Sequence, residues 1–394
     1  MKFSRLTQNF ALSDIDMLLK LTAQPEVISF GGGLPAPETF PIETLAAVTQ
    51  EVFAKDGVAA LQYGPSRGYL PLREYLSDWF QNHLQATVVP DDILITAGSQ
   101  QGLDLLARVF LDPGDVLLVE GPSYIGALNA FDLAQPTYVE MPMDEEGVIP
   151  EALAEILATQ KKVKAIYVIP DFQNPTGITW SLERRQKFME LVNQYEIPVW
   201  EDHPYGELRF SGEALPTLKA LDTKHLVTFL GTFSKTLSPG LRIGYLAGPA
   251  EVIERADFIK QAADLSTSSL VQRQVAAFLQ KADYEGHVAA NADLYRQRHD
   301  VMLTAMQQHF PDNVQWTEPR GGLFIWVELP KGCDARDVLT QALQENVAFT
   351  PGEGFFPVTK QKNYFRLNYS SMDEARIRKG IRKIGEVLHR MLHS

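Results

Sequence analysis

Between residues 92 and 248, short apolar runs rich in Val, Ile and Leu alternate with longer stretches of helical spacing. Few folds accept that pattern. A strand apolar on both faces must be covered on both faces, and helices that return between parallel strands supply the cover. The strand-like runs are DILITAG (92–98), DVLLVEG (115–121), AIYVIPD (165–171), IPVWEDH (197–203), LVTFLGT (226–232) and RIGYLAG (242–248). Ser99–Phe110, Ile125–Leu133, Pro150–Thr159 and Ser181–Tyr195 read as the crossover helices. The expected fold is therefore α/β, a large domain built on a mainly parallel, doubly wound sheet.

After Pro249 the chain turns mainly helical, with a long segment from about Tyr284 to Phe310. GGLFIWVEL (321–329), NVAFT (346–350) and YFRLNYS (364–370) then read as strands flanking two helices, a smaller α+β domain. The expected division is an N-terminal segment, 1–45, packing with the small domain; a large domain, 46–290; and a small domain, 291–394. No low-complexity linker separates them, so a shared interface is expected.

Bulk properties narrow the function. A formal charge of −13 opposes a protein that grips a nucleic-acid backbone, which needs a surplus of cations on one face. Cys333 is the only cysteine, which excludes an intrachain disulfide and a cysteine-rich zinc site. The acids and polar residues of MKFSRLTQNFALSDIDMLLKL break any secretory signal, and no apolar run is long enough to span a bilayer. A cytoplasmic protein without membrane or nucleic-acid partners is expected. Glu386, His389 and His393 share a helix face, but this spacing at a chain end reads as a solvated helix, and no metal is expected.

Ligands of open α/β sheets collect beyond the carboxyl ends of the strands. Five consecutive strand ends here carry distinctive residues. Ser99 and Gln100 open a helix, Ser99 at or near its N-cap, where free N–H groups attract an anion. Tyr124 places a ring past the next strand, and Asn174 starts the turn Asn-Pro-Thr-Gly. Glu201 and Asp202 precede Tyr205, and strand alternation lets only one carboxylate face the shared space. Thr232-Phe233-Ser234-Lys235 closes the series, with Arg242 seven residues beyond Lys235. Taken singly, a helix cap, edge packing, an ordinary turn, an acidic loop and a snorkelling lysine explain each feature. Pyridoxal phosphate requires all of them together: a phosphate cup with a cation, a ring stacker, a carboxylate for the ring nitrogen and an amine for the aldehyde.

GGLPAP, LQYGPSRGYLPLREYL, TAGSQQGLDLL, EGPSYIGAL, PDFQNPTG, EDHPYGELRF, TFSKTLSPGLRIGY and YFRLNYS, in this order, resemble the class I/II aminotransferases of fold type I. The wording is most similar to the 2-aminoadipate (LysN-like) and aromatic branch. The resemblance implies that Lys235 binds the aldehyde covalently and carries the proton, and that Asp202 pairs with the ring nitrogen. It implies that Asn174 and Tyr205 bind the ring's oxygen, that Tyr124 stacks on the ring, and that Ser99, Gln100, Ser234 and Arg242 form the phosphate cup. Tyr63 would reach the phosphate of a neighbouring subunit in a homodimer with shared sites. Arg366 would clamp the substrate α-carboxylate, with Gly33 and Asn174 also at the substrate.

The implied reaction is a ping-pong transamination from an L-amino acid to a 2-oxo acid such as 2-oxoglutarate. The helix SDIDMLLKL (13–21) carries Asp14 and Asp16 where a cation would read an acidic donor, which points to aromatic or aliphatic donors over 2-aminoadipate. Two other readings stand beside it. One is a β-lyase on the same fold. The other is a non-catalytic cofactor-binding sensor; a DNA-binding regulator would need a basic module ahead of the pattern, which begins near residue 10.

Overall fold

The computed structural model describes residue 2 and residues 26–392. Strand β1 (Ile28–Ser29) is followed by helices α1 (Ile42–Ala60) and α2 (Leu70–Trp79). The alternating core then runs β2 (Ile93–Thr96), α3 (Ser99–Phe110), β3 (Val116–Gly121), α4 (Ile125–Phe131), β4 (Thr137–Asp144) and β5 (Gly147–Val148). It continues through α5 (Pro150–Thr159), β6 (Val163–Val168), α6 (Leu182–Tyr195), β7 (Val199–Asp202), the short α7 (Leu218–Leu221), β8 (Val227–Thr232) and β9 (Gly244–Ala247). Every residue of β2, β7, β8 and β9 is buried, which is why these runs read as continuous apolar blocks.

These strands form one eight-stranded sheet in the order β2-β9-β8-β7-β6-β3-β4-β5. From β8 across to β4 the pairs are parallel. Strand β9 differs from the sequence reading, which grouped 242–248 with the parallel strands: it runs antiparallel to both β8 and β2. The reason is length. The link from Thr232 to Gly244 has no room for a crossover helix, so the chain turns back and enters the adjacent position. Lys235 and Arg242 consequently lie in one connection between two adjacent strands, β8 and β9. Strand β4 has no counterpart in the sequence reading. Half exposed and interrupted by Pro142, it lacks the apolar run that marks the other strands.

Three helices follow, α8 (Ala250–Asp264), α9 (Ser269–Lys281) and α10 (Tyr284–His309). The boundary expected at 290/291 falls inside α10, which is continuous there. A second sheet is made of β10 (Gln315–Trp316), β11 (Phe324–Glu328), β13 (Thr350–Pro351) and β14 (Tyr364–Asn368), in the order β10-β11-β14-β13. Helices α11 (Ala335–Gln344) and α12 (Glu374–Leu392) accompany it. The run NVAFT, expected as one strand, is split: β12 (Val347–Ala348) pairs with β1, while Thr350 pairs with Arg366 on β14. Between them Phe349 is buried against Phe365, ring centroids 4.4 Å apart. β1 thereby ties the N-terminal segment to the second sheet's surroundings. The helix expected at 13–21, with Asp14 and Asp16, lies outside the described residues.

Candidate active site

The ends of β7, β8 and β6 meet the loops of the second sheet over one pocket. It is lined by Gly31, Gly32, Gly33, Tyr124, Ile125, Asn174, Tyr205, Lys235, Thr350, Phe355 and Arg366. Six of the residues singled out in the sequence, Gly33, Tyr124, Asn174, Tyr205, Lys235 and Arg366, therefore share one cavity although they span more than 330 positions of the chain.

Lys235 leaves the end of β8 and donates from Nζ to the Gly33 carbonyl at 2.6 Å. Burial, and then the positive charges of Arg366 and Arg242, lower its amine to about 8. Arg366 stands on β14, where its guanidinium donates to Asn174 Oδ1 and to the Gly31 carbonyl, both at 2.7 Å. It lies over the Phe324 ring at 4.2 Å, and Nε keeps no partner among the described residues. Burial lowers Arg366 to about 10, which leaves it charged at neutral pH. Both cations are thus moored to the same glycine segment, 31–33. Asn174 also donates to the Tyr205 hydroxyl at 3.2 Å, and burial raises the pKa of Tyr205.

Alternation on β7 separates the two carboxylates. Glu201 faces away and accepts the backbone N–H groups of Leu218 and Lys219 at 2.7 and 2.8 Å. Asp202 accepts the Tyr167 hydroxyl at Oδ2, 2.9 Å, while its buried Oδ1 has no partner among the described residues. Burial raises Asp202 to about 7, against the pull of the Tyr167 hydrogen bond and of Lys235. An unsatisfied buried polar atom costs roughly 1–3 kcal/mol, so this oxygen is built to receive a donor.

The start of α3 forms the second part of the site. Its N-cap is Gly98, with φ of 80°, and Ser99 is the first helical residue. A Cβ on Gly98 would stand 2.5 Å from a terminal nitrogen of Arg242, so glycine is what lets the guanidinium lie against the helix start. Arg242 donates to the carbonyls of Ala97 and Pro239 at 3.2 and 3.3 Å and remains exposed. Ser234 is buried, its hydroxyl 2.9 Å from that of Thr232. Helix geometry leaves the first-turn N–H groups without intrahelical acceptors, so cation, hydroxyl and free amides converge. Gln100 contributes no side chain to this cup, because its amide is turned to the Gly126 carbonyl at 2.7 Å. Tyr63 does not enter the pocket of its own chain and is 82% exposed.

Other members of the site carried no local sequence signal. Tyr167 fixes Asp202 from the neighbouring strand, and the β6–β7 register, in which Tyr167 lies opposite Trp200, is what brings it there. Glu120, fully buried, accepts from Ile169 N, Gln173 Nε2 and Trp180 Nε1. Gln173 donates in turn to the Pro122 carbonyl and receives Thr176, so the turns bearing Tyr124 and Asn174 are joined. Gly31, Ile125, Thr350 and Phe355 complete the walls.

The profile of the family described as aminotransferase class I and II matches residues 25–384. The chain belongs to the class I and II aminotransferases. Aromatic-amino-acid aminotransferase 1 of Thermococcus litoralis is 42% identical over 390 residues, spanning 98% of this chain and 94% of that one. The 2-aminoadipate transaminase of Thermus thermophilus is 41% identical over 383 residues, spanning 96% and 94%. The solved kynurenine aminotransferase of Pyrococcus horikoshii superposes with a TM-score of 0.96 at 41% identity, covering 100% of this chain and 98% of that one. The fold is accordingly fold type I, and the cofactor of this aminotransferase is pyridoxal phosphate. The pocket fits that group: a partnerless buried carboxylate oxygen, a lowered amine, and a glycine-opened helix start beside a cation. Among the described residues no group of three or more His, Cys, Asp and Glu could hold a metal ion, and no helix is long and apolar enough to cross a membrane; His393 lies outside them.

Proposed function

We propose that this aminotransferase moves the amino group of an L-amino acid with an aromatic or aliphatic side chain to a 2-oxo acid, 2-oxoglutarate being the natural acceptor to test first. The observation that carries the reading is the mooring of Lys235 and Arg366 to the two ends of one glycine segment, at Gly33 and Gly31. An amine and a planar guanidinium then face a single pocket, as an α-amino acid requires. Bound there, pyridoxal phosphate supplies an electron sink for the α-carbon.

The chain's own residues do the rest. Lys235, with its amine near 8, is the base that takes and returns the α-proton. Asp202 presents Oδ1 to the ring nitrogen, and Tyr167 keeps it oriented. Asn174 and Tyr205 would hold the ring oxygen, and Tyr124 would pack against the ring, all three lining the pocket. Ser99, Ser234, Arg242 and the first N–H groups of α3, that of Gln100 included, hold the phosphate. Arg366 binds the α-carboxylate through its fork, beside Gly33 and Asn174.

Among the described lining residues the only cations are Lys235 and Arg366, both already employed, while Ile125 and Phe355 are apolar. A second carboxylate on the donor would meet no cation there, which supports neutral donors over 2-aminoadipate. The relative from Thermococcus litoralis carries an aromatic-amino-acid name, in the same sense. Tyr63, exposed beside Leu61 and Val58, supports a homodimer in which each subunit lends this tyrosine to the other's phosphate. The division into 1–45, 46–290 and 291–394 remains our reading of the domains, with α10 bridging the last two.

A donor panel with the cofactor-loaded protein tests the function. Leucine, phenylalanine and kynurenine should each turn over faster than 2-aminoadipate with 2-oxoglutarate as acceptor. Aminoadipate far ahead of all three would overturn the substrate class. Pyruvate and ammonia released from a β-substituted alanine without any acceptor would replace transamination with elimination.

A further inference from the structure

Helix α10 (Tyr284–His309) carries polar side chains at 284, 287, 291, 295 and 298, spacings of three and four that align them along one face. Tyr284, Asn291, Tyr295 and Arg298 are buried, and His287 is partly so. Such a face normally carries apolar residues, and polar groups there must find partners. Their partners are the three segments that build the pocket.

At the first turns the grip is on Thr236, the residue after Lys235. The Tyr284 hydroxyl lies 2.8 Å from Thr236 Oγ1. His287 Nε2 lies 3.0 Å from the Thr236 carbonyl, and Asn291 Nδ2 donates to the same oxygen at 3.3 Å. A carbonyl only accepts, so His287 bonds it with the proton on Nε2. One turn on, the Tyr295 hydroxyl accepts the Ala36 N–H at 3.1 Å, just beyond Gly31–Gly33. Arg298 then donates to the Ser370 carbonyl at 2.5 Å, where the chain leaves β14 and Arg366, and also pairs with Glu38. Ser370 in turn donates to the Leu34 carbonyl, joining the last two segments.

We propose that this polar stripe is the positioning device of the site, a rod that sets the separation of the Lys235 amine from the Arg366 guanidinium. The proposal rests on the reading of Lys235 and Arg366 given above. None of the five side chains lines the pocket, so each acts through the segment it holds, Tyr284 through the Thr236 hydroxyl and the other four through backbone groups. From 284 to 298 the helix rises about 21 Å at fixed pitch, whereas the held segments are short turns and a strand end. The demand is strict, because a misplacement of about 1 Å in a reacting geometry costs about 10²-fold in rate.

Two measurements read the two ends of the rod separately on cofactor-loaded protein. The pH midpoint of the visible absorbance of the lysine-bound cofactor reports Lys235. The dissociation constant of hydrocinnamate, a carboxylate without an amine, reports Arg366. Tyr284→Phe and Asn291→Ala should move the midpoint by about 0.5–1 pH unit and leave hydrocinnamate binding within about twofold. Arg298→Ala should weaken hydrocinnamate about tenfold and leave the midpoint in place. Arg298→Lys, which keeps a charge but loses the fork, serves if the alanine variant does not fold. Asp293→Ala, on the exposed face, should change neither. Unchanged values in the stripe variants would overturn the proposal. So would joint shifts of both values in step with thermal midpoint, which would mean general destabilisation. A wild-type protein without lysine-bound absorbance would instead overturn the functional reading, and the rod with it.

Discussion

The floor and the roof of the pocket are built by different rules. The floor, comprising Asn174, Tyr205 and Lys235 with Asp202 and Ser234 on the same strand ends beside them, comes from successive ends of one sheet, so chain order and spatial order agree. The roof, comprising Gly31–Gly33, Thr350, Phe355 and Arg366, is gathered from distant segments around β1, β13 and β14. In the reading proposed above, the floor holds the groups that would work on the cofactor. The roof holds Arg366, which would grip the carboxylate common to all donors, beside the apolar ring of Phe355. Under that reading, work on the cofactor would depend on the most regular part of the molecule and capture of the substrate on the least regular.

That division can be broken from either side. The largest effect is expected from the floor: Lys235→Ala should retain cofactor yet reduce transamination below detection in a coupled assay, and a turnover near wild type would remove Lys235 from its role. Asp202→Asn should lower kcat about 10²-fold while the ring and phosphate contacts still bind, measured by steady-state kinetics beside cofactor titration. From the roof, Arg366→Lys should raise KM for every donor about tenfold to a hundredfold, with kcat changed less, because a fork is exchanged for a point charge. Equal losses in kcat for Arg366→Lys would merge the two regions into one.

A smaller test concerns protonation. A lysine amine lowered to about 8 is largely neutral above that pH and charged below it. Reductive trapping of pyridoxal phosphate on cofactor-free protein should therefore rise through a midpoint near 8, well below that of an ordinary lysine, and follow Lys235 by peptide mapping. The smallest effect belongs to Gly33→Ala. Its Cβ would stand 3.1 Å from Phe324 Cζ, a contact that the ring can relieve by moving slightly. A change of about twofold to fivefold in KM is expected, without loss of cofactor.

The same contrast explains what could be read from the chain. The strands behind Lys235 and Asp202 are buried on both faces, so their β-branched runs and the turns that end them are visible locally. Helices Ser99–Phe110 and Pro150–Thr159 have the ends their spacing implies. Pairing direction was less legible, because a strand such as β9 has the same composition whichever way it runs, and only the length of 233–243 distinguishes the cases. Tyr167 needed the register of β6 against β7, and Thr350 and Phe355 needed the course of loops more than a hundred residues from the floor. Side-chain direction was the least legible of all. Gln100 stands where a phosphate ligand would, yet its amide serves the carbonyl of Gly126.

The antiparallel return of β9 has a consequence for engineering. Residues 233–243 leave β8 and re-enter the sheet in the adjacent strand β9, with Thr232 opposite Gly244. The Lys235 amine and the Arg242 guanidinium, the cation proposed to hold the phosphate, therefore travel together as a single interchangeable cassette. Swapping it between relatives would transplant both at once and leave every crossover helix in place, provided Gly98 is kept to receive the incoming guanidinium.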